Sequence, residues 1–219
     1  IKEYVIKMLK RQLMFQEFMA LKGISFEVKA GEAWGFVGTN GSGKSTLLKT
    51  ISGILKPYKG SVQINGTISP LIELGAGFDG NLTARENIFL NGAVLGYSEK
   101  FLKEKFDEIV DFAELRDFLD VPIKNFSSGM AARLGFAIAT TVKPDILICD
   151  EVLAVGDFKF QEKCEQRMDE LLSGGTTLLF VSHSIEQVKR MCQKAIWIDH
   201  GEMKMIGSAE EVCNVYSNS

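Results

Sequence analysis

A run of glycine, lysine and serine residues could bind phosphate groups. It reads Gly38-Thr39-Asn40-Gly41-Ser42-Gly43-Lys44-Ser45 and fits the pattern G-x-x-x-x-G-K-[ST]. Glycines allow backbone N–H groups to point at phosphate oxygens, and the positive end of the following helix, from Thr46 onward, attracts the same anions. Lys44 would neutralise the β- and γ-phosphates, and Ser45 would ligate Mg²⁺. Together with Thr46, these residues predict a binding site for ATP and Mg²⁺.

Two other interpretations of this segment are weaker. A dinucleotide-binding loop would need a third glycine at the position that Thr46 occupies. A plain glycine-rich turn with an exposed lysine would not require a strand before it and a helix after it, and both are predicted here.

Two adjacent carboxylates follow another apolar run. Asp150 and Glu151 come directly after residues 146–149. Carboxylates at the end of a buried strand are costly unless a cation or a substrate uses them. Asp150 is placed to hold Mg²⁺ through water, and Glu151 is placed to act as general base toward the attacking water. A strand that simply ends in an acidic turn is the ordinary alternative, and the phosphate loop upstream argues against it.

The phosphate loop and the two carboxylates must be positioned by the surrounding elements. Short apolar runs alternate with helical patterns along the chain, which predicts an α/β fold. Ala33–Val37 is a predicted buried strand before the glycine-rich segment, and residues 46–55 are the predicted helix after it. Further strands are predicted at residues 61–64, 67–71, 146–149, 177–181, 195–199 and 203–206, with a turn at His200-Gly201. Residues 98–115 predict an amphipathic helix whose apolar face consists of Leu102, Phe106, Ile109 and Ala113.

Further motifs, taken in order, carry a resemblance to a known family. Phe126-Ser127-Ser128-Gly129-Met130 resembles the L-S-G-G-Q signature of ABC transporter ATPases, and it lies between the phosphate loop and the Asp150-Glu151 pair, as in that family. His183 resembles the family's switch histidine, and residues 152–157 resemble its D-loop. A helix cap and a structural histidine are the ordinary alternatives for the single motifs. Their common order extends over nearly the whole chain.

This resemblance implies a fold and a mechanism. The expected fold is a P-loop NTPase core of ABC ATPase type, with a mainly parallel sheet, a small antiparallel β part and a helical signature subdomain. The expected assembly is a head-to-tail homodimer with two ATP molecules at its interface. Each ATP would contact the phosphate loop of one subunit and the signature residues Ser127, Ser128, Gly129 and Met130 of the other. Glu151 and His183 would be the catalytic residues, with Glu151 activating water and His183 sensing the γ-phosphate.

Departures from the usual family motifs indicate a subfamily. Ser128 and Met130 replace the usual glycine and glutamine of the signature, and no glutamine lies between Gln63 and Gln161 to serve as the Q-loop glutamine. The stretch Leu71-Ile72-Glu73-Leu74-Gly75-Ala76-Gly77-Phe78 stands in its place. With the S-S-G-M signature and the sequence L-T-A-R-E-N at residues 82–87, it resembles ATPases that export bacterial surface polysaccharides and teichoic acids.

The first sixteen residues differ in character from the rest. Lys2, Lys7, Lys10 and Arg11 are opposed only by Glu3, while Val5, Leu9 and Leu13 recur every four residues. This pattern predicts a basic amphipathic helix at residues 1–16, either an ordinary surface helix or a membrane-adjacent one. We expect it to precede an ABC ATPase domain at residues 17–219, with a helical subdomain at about 82–140.

Composition limits the location and the partners of the protein. The net charge of -3 and the pI near 5.6 argue against a nucleic-acid binder. No apolar run approaches the ~18 residues of a membrane span, so a separate transmembrane permease is the expected partner. The four cysteines lack metal or redox spacing and fit a reducing cytoplasm. We expect a peripheral protein at the cytoplasmic face of the cell membrane.

The resemblance also defines what remains open. The permease is expected to dock near residues 75–91. An adenine-stacking aromatic residue, usual in the family, has no good candidate, since Tyr4 lies in a predicted helix. The chain ends soon after the last predicted core element, which leaves no room for the carbohydrate-binding domain of some relatives. An importer ATPase, a soluble ABC ATPase and a small P-loop kinase are the alternatives.

Overall fold

The computed structural model describes residues 18–72, 74–150 and 156–219 of the 219-residue chain. A six-stranded sheet has the strand order β2-β3-β4-β1-β5-β6. The strands are β1 (Ala33–Val37), β2 (Ile68–Leu71), β3 (Ile146–Asp150), β4 (Thr177–Val181), β5 (Lys194–Asp199) and β6 (Glu202–Ser208). Neighbouring strands pair in parallel, except that β5 and β6 are antiparallel. The predicted α/β class, with a mainly parallel sheet and a small antiparallel part, is confirmed.

Burial explains which strands are central. All five residues of β1 and all five of β4 are buried, as expected for parallel strands covered on both faces. β6 alternates between exposed and half-buried residues because it lies at the edge and shows one face to solvent. β2 forms the other edge, where Pro70 is tolerated because an edge strand need not donate every backbone N–H.

Helices cover both faces of the sheet. They are α1 (Lys44–Ile51), α2 (Ala84–Val94), α3 (Glu99–Ala113), α4 (Ser128–Ala139), α5 (Phe158–Ser173), α6 (Ile185–Met191) and α7 (Ala209–Ser217), with short 3₁₀ turns at Arg116–Phe118 and Ile123–Asn125. On one face, Leu47 and Leu48 of α1 pack against Phe36 and its neighbours. On the other, Phe136 of α4 and Phe160 of α5 belong to the larger core cluster.

Local sequence signals fix several helix ends. Thr83 and Glu86 form a capping box that starts α2, since each side chain accepts a hydrogen bond from the other's backbone N–H. Ser98 caps α3, which runs over Glu99–Ala113 and confirms the amphipathic helix predicted at 98–115. Leu102, Ile109 and Ala113 of its predicted apolar face are buried, and Phe106 is half-buried against Phe89.

Some predicted boundaries were wrong. Residues 61–64 form no strand, because Gly60 and Gly66 bend the chain at φ of 84° and 129° and Val62 remains 41% exposed. The helix predicted at 46–55 begins two residues earlier at Lys44 and ends at Ile51, and Gly53 follows at φ 76°. The turn at His200-Gly201 is confirmed: both residues have positive φ, which suits a two-residue hairpin.

Candidate nucleotide-binding site

The phosphate loop connects the end of β1 to the start of α1. Gly38, Gly41 and Gly43 adopt φ of 148°, 78° and 112°, a region that other residues avoid. A Cβ atom at Gly38 would collide with the carbonyl oxygen of Ile198, and one at Gly43 would lie 2.8 Å from that of Ala20. Only glycine fits both positions, so the loop conformation depends on the residues that define the motif.

Lys44 is held against this loop. Its side chain is buried, and Nζ donates hydrogen bonds to the carbonyl oxygens of Gly38 at 2.7 Å and Thr39 at 2.9 Å. A buried ammonium group is stabilised by a negative charge close to it. A phosphate cradled by the loop would supply that charge and stronger acceptors than neutral carbonyls.

A buried hydroxyl beside the lysine also fits a bound nucleotide. Ser42 is 2% exposed, and its Oγ has no hydrogen-bond partner among the described residues. Its carbonyl oxygen accepts from Gly201 N at 2.8 Å, and Gly201 O accepts from Lys22 N at 2.7 Å, so the β5–β6 turn braces the loop. The glycine cradle and the unpaired hydroxyl both suit the oxygen-rich phosphates of ATP.

Strand register brings the other predicted groups to the same edge of the sheet. Phe36 of β1 pairs with Val181 of β4, and Val181 pairs with Asp150 at the end of β3. These strands are parallel, so their carboxyl ends share one edge. The phosphate loop, the half-buried Asp150 and the exposed His183 therefore lie along this edge. Glu151 and residues 152–155 of the predicted D-loop lie outside the described residues.

The signature residues lie elsewhere, at the start of α4. Ser127 is the N-cap of this helix, and its Oγ accepts a hydrogen bond from Met130 N at 3.1 Å. Ser127 and Ser128 are exposed, whereas Gly129 and Met130 are half-buried. Ser127 therefore does cap α4, as the alternative interpretation of this motif expected. It leaves the N–H groups of an exposed helix start available to an anion from outside the chain.

The loop at residues 74–83, part of which is the predicted substitute for the Q-loop, is held by two asparagines that the sequence analysis did not assign to a role. Asn87 Nδ2 donates to the carbonyl oxygens of Asp79, Leu82 and Thr83, and its Oδ1 accepts from Asp79 N at 2.8 Å. One turn later, Asn91 Nδ2 donates to Ala76 O at 2.8 Å. The sequence offered one signal for this role. Asn87 and Asn91 are four residues apart, so they lie on the same face of a helix that also buries Ile88.

The same loop touches the signature helix from its other side. A Cβ atom at Gly135 of α4 would lie 2.6 Å from the backbone nitrogen of Gly75 and 3.2 Å from the carbonyl carbon of Leu74. Glycine at 135 therefore allows direct backbone contact between the loop and α4. Residues 74–80 consequently pack between α2 and α4.

Replacing Asn87 with alanine should destabilise this region. The change leaves several buried backbone groups without their partner, at an expected cost of about 2–4 kcal/mol in the free energy of unfolding. Urea unfolding followed by circular dichroism measures it. The exposed Asn81, in the same loop, is the matched control, and its alanine variant should differ from wild type by less than about 0.5 kcal/mol. Equal stability of the two variants would contradict the anchoring role of Asn87.

Comparison with known proteins decides the family. A family model described as ABC transporter matches residues 21–154, more than half of the chain. The chain belongs to the ABC transporter family. This confirms that the protein is an ABC-type ATPase that binds ATP, and it excludes the small P-loop kinase.

Relatives in the family agree with the subfamily resemblance. The O-antigen export system ATP-binding protein RfbB of Klebsiella pneumoniae is 46% identical over 204 residues, which cover 93% of this chain and 83% of that protein. The teichoic acids export ATP-binding protein TagH of Bacillus anthracis is 47% identical over 197 residues, covering 90% of this chain but 36% of that protein. The resemblance to the polysaccharide and teichoic acid export ATPases is confirmed.

A solved ABC structure supports the fold. A dimeric ATP-binding cassette in a post-hydrolysis state, bound to ADP and Pi, matches with a TM-score of 0.77 and 26% identity over 90% of this chain and 94% of that one. Within the described ranges, no helix is both long and apolar enough to span a bilayer.

Proposed function

We propose that this protein is the ATP-hydrolysing subunit of an exporter that moves a bacterial surface polysaccharide or a teichoic acid across the cell membrane. The identity of 46–47% to export ATPases for both kinds of polymer, over at least 90% of the chain, carries this proposal. The L-E-L-G-A-G-F stretch and the S-S-G-M signature support it at the level of motifs. The protein would act at the cytoplasmic face of the membrane, bound to a transmembrane permease.

Hydrolysis would use the groups along the carboxyl edge of the sheet. Backbone N–H groups of residues 38–45 and the ammonium of Lys44 would hold the phosphates. Ser45 and, through water, Asp150 would hold Mg²⁺, which when bound neutralises charge on the β- and γ-phosphates. The described residues contain no cluster of three or more metal-ligating side chains, which suits an ion coordinated mainly by phosphate oxygens and water.

Proton transfer would involve Glu151. Its carboxylate would accept a proton from the water that attacks the γ-phosphorus, while the bond to the β–γ bridging oxygen breaks to give ADP and phosphate. His183, exposed after β4 on the same edge, would contact the γ-phosphate. The protein would accelerate the reaction mainly by positioning and by charge stabilisation.

A second subunit would complete each site. The exposed N-terminus of α4, with Ser127 and Gly129, would bind the γ-phosphate of ATP held by Lys44 of the other subunit in a head-to-tail homodimer. The dimeric state of the matched cassette supports this arrangement. Closing and opening of the dimer would then drive the permease.

The helical subdomain at about 82–140 would face the permease. Between α2 and α3, a groove of about 340 Å³ is lined by Phe89, Ala93, Tyr97, Glu99, Leu102 and Lys103. Val94, 68% exposed, extends its apolar surface. An apolar cytoplasmic segment of the permease fits this position, which adjoins the region expected for docking.

Export itself provides the test of this function. Cells that lack the gene should lose the surface polymer, and the wild-type gene should restore it. A variant with Lys7, Lys10 and Arg11 changed to glutamate should restore it only partly, while its ATPase activity stays near wild type. The reason is that the basic segment 1–16 would face anionic lipid or a phosphate-bearing polymer rather than ATP.

Surface polymer, stained on intact cells, is measured beside ATPase activity of the purified protein. The matched control changes the exposed Lys29, Lys56 and Lys59 to glutamate, which applies the same charge change outside α2, α3 and the proposed docking groove. Normal surface polymer in the deletion strain would contradict the export function. Equal loss of export and ATPase activity in the 7/10/11 variant would contradict only the role of residues 1–16.

A further inference from the structure

Gln187 lies in the first turn of α6 and has no part in the nucleotide-binding site described above. Its Oε1 accepts a hydrogen bond at 2.8 Å from the hydroxyl of Ser182, the residue that separates β4 from His183. Ser182 and Gln187 are both half-buried. The two side chains therefore join the chain just before the histidine to the helix that follows it.

The same hydroxyl also fixes the chain on the other side of the histidine. Ser182 Oγ accepts a hydrogen bond from Ser184 N at 3.0 Å. Ser184 is the N-cap of α6, and its Oγ accepts from Gln187 N at 3.4 Å. The Ser182 hydroxyl has one hydrogen to donate, and Gln187 receives it. Both residues that flank His183 are thus bound into a closed set of hydrogen bonds that includes Gln187.

Packing on the sheet holds Gln187 itself in place. The next residue, Val188, is fully buried, and a Cβ atom at Gly35 of β1 would collide with its Cγ1. Glycine at 35 therefore lets α6 pack directly on the strand that leads into the phosphate loop. Gln187 thus binds the loop at residues 182–184 from a helical turn whose position relative to that strand is fixed.

Strand register places this loop beside the phosphate loop. Val181 of β4 pairs in parallel with Phe36 of β1, and His183 and Gly38 each follow two residues after these paired positions. His183 is exposed, and the direction of an exposed side chain depends strongly on its backbone. The hydrogen bonds of Gln187 and Ser182 therefore govern where the imidazole points at the edge of the sheet that holds the phosphate loop.

We propose that Gln187 is a positioning residue that directs His183 toward the γ-phosphate. This rests on the proposed function, in which His183 contacts that phosphate. Gln187 acts through the Ser182 hydroxyl: as its hydrogen-bond acceptor, it keeps the peptide groups before and after the histidine in one orientation. Catalysis by fixed groups depends on such alignment, and a misplacement of about 1 Å can reduce the rate about 100-fold.

Turnover and the KM for ATP, measured on the purified protein with radiolabelled ATP, test this role. Gln187→Leu should reduce kcat about 10- to 100-fold and change KM by less than about 3-fold, because the phosphate loop still holds the nucleotide. Gln187→Glu retains an acceptor for the Ser182 hydroxyl and should keep kcat within about 3-fold of wild type. His183→Ala should lose at least as much turnover as Gln187→Leu. Adding Gln187→Leu to it should cause no further loss, since Gln187 acts only through the histidine.

Gln193→Leu is the matched control. Gln193 follows α6, and its Oε1 accepts a hydrogen bond from Ala33 N at 2.7 Å, at the amino-terminal end of β1 and away from the phosphate loop. The same substitution there removes a similar hydrogen bond and should leave kcat near wild type. Thermal unfolding of both variants compares their stability.

The results separate this inference from the proposed function. Wild-type kcat in Gln187→Leu, equal losses of kcat in Gln187→Leu and Gln193→Leu, or a further loss in the double variant with His183→Ala would overturn the positioning role and leave the proposed function intact. Wild-type hydrolysis by His183→Ala would instead remove the histidine from the proposed mechanism, and the role of Gln187 with it.

Discussion

Replacing Lys44 with alanine should abolish ATP turnover and sharply weaken nucleotide binding. Lys44 is the buried cation of the phosphate loop, 6% exposed, and it would stabilise negative charge that grows on the β–γ bridge as the bond breaks. Loss of such a charge in a desolvated site typically reduces turnover by at least about 100-fold. Phosphate release by the purified variant, with nucleotide affinity from a fluorescent ATP analogue, measures both effects.

The matched control for this change is Lys56→Ala. Lys56 is exposed beyond the C-terminal end of α1, so its loss removes the same charge without altering the cradle. It should keep wild-type turnover and affinity. Thermal unfolding of both variants shows whether the hydrogen bonds from Lys44 to Gly38 and Thr39 matter for folding. Wild-type hydrolysis by a folded Lys44→Ala protein would remove the phosphate loop from the mechanism.

Glu151→Gln should retain ATP binding and lose hydrolysis by about 10²–10⁴-fold, the usual contribution of a general base. The amide cannot accept the proton of the attacking water, so ATP remains intact between two subunits. Wild type alone should be a weak ATPase and mostly monomeric, since like charges of Asp150, Glu151 and Asp157 would meet across the interface without nucleotide. Analytical ultracentrifugation of Glu151→Gln with and without Mg-ATP should show a dimer only with nucleotide.

Glu104→Gln provides the charge-matched control. Glu104 is exposed on α3, so the variant should hydrolyse ATP like wild type and form no trapped dimer. Three results would count against the assignment of Glu151: continued hydrolysis by Glu151→Gln, a monomer in Mg-ATP, or a tight dimer without nucleotide. The last would show that the interface has a source of stability other than ATP.

The parts of the fold that the sequence predicted well are those governed by local pattern. Ala33–Val37 and Thr177–Val181 were predicted to the residue, since a continuous apolar run between turn residues is typical of a central parallel strand. The phosphate loop was predictable because its glycines are required by positive φ. The apolar residues at 61–64 led to a wrong strand prediction, because a short apolar run does not show whether another element packs over it.

Contacts between residues far apart in the chain could not be predicted from the sequence, for a physical reason. Arg133 and Asp157 are 24 positions apart and meet only after α4 and α5 have packed on the sheet. Gly135 looks like an ordinary helix residue until the backbone of Gly75 is placed against it. Charges and glycines of this kind are common on any helix, and only the tertiary structure shows which of them make contact.

The contact between Gly75 and Gly135 is made by backbone atoms, so it does not depend on which side chains the loop carries. Because main chain meets main chain there, force on the loop reaches α4 whatever side chains the loop carries. Asn87 and Asn91 likewise bind loop carbonyls and an amide, which every sequence provides. The side chains of the loop can therefore change without loss of the backbone contact that joins the loop to the signature helix.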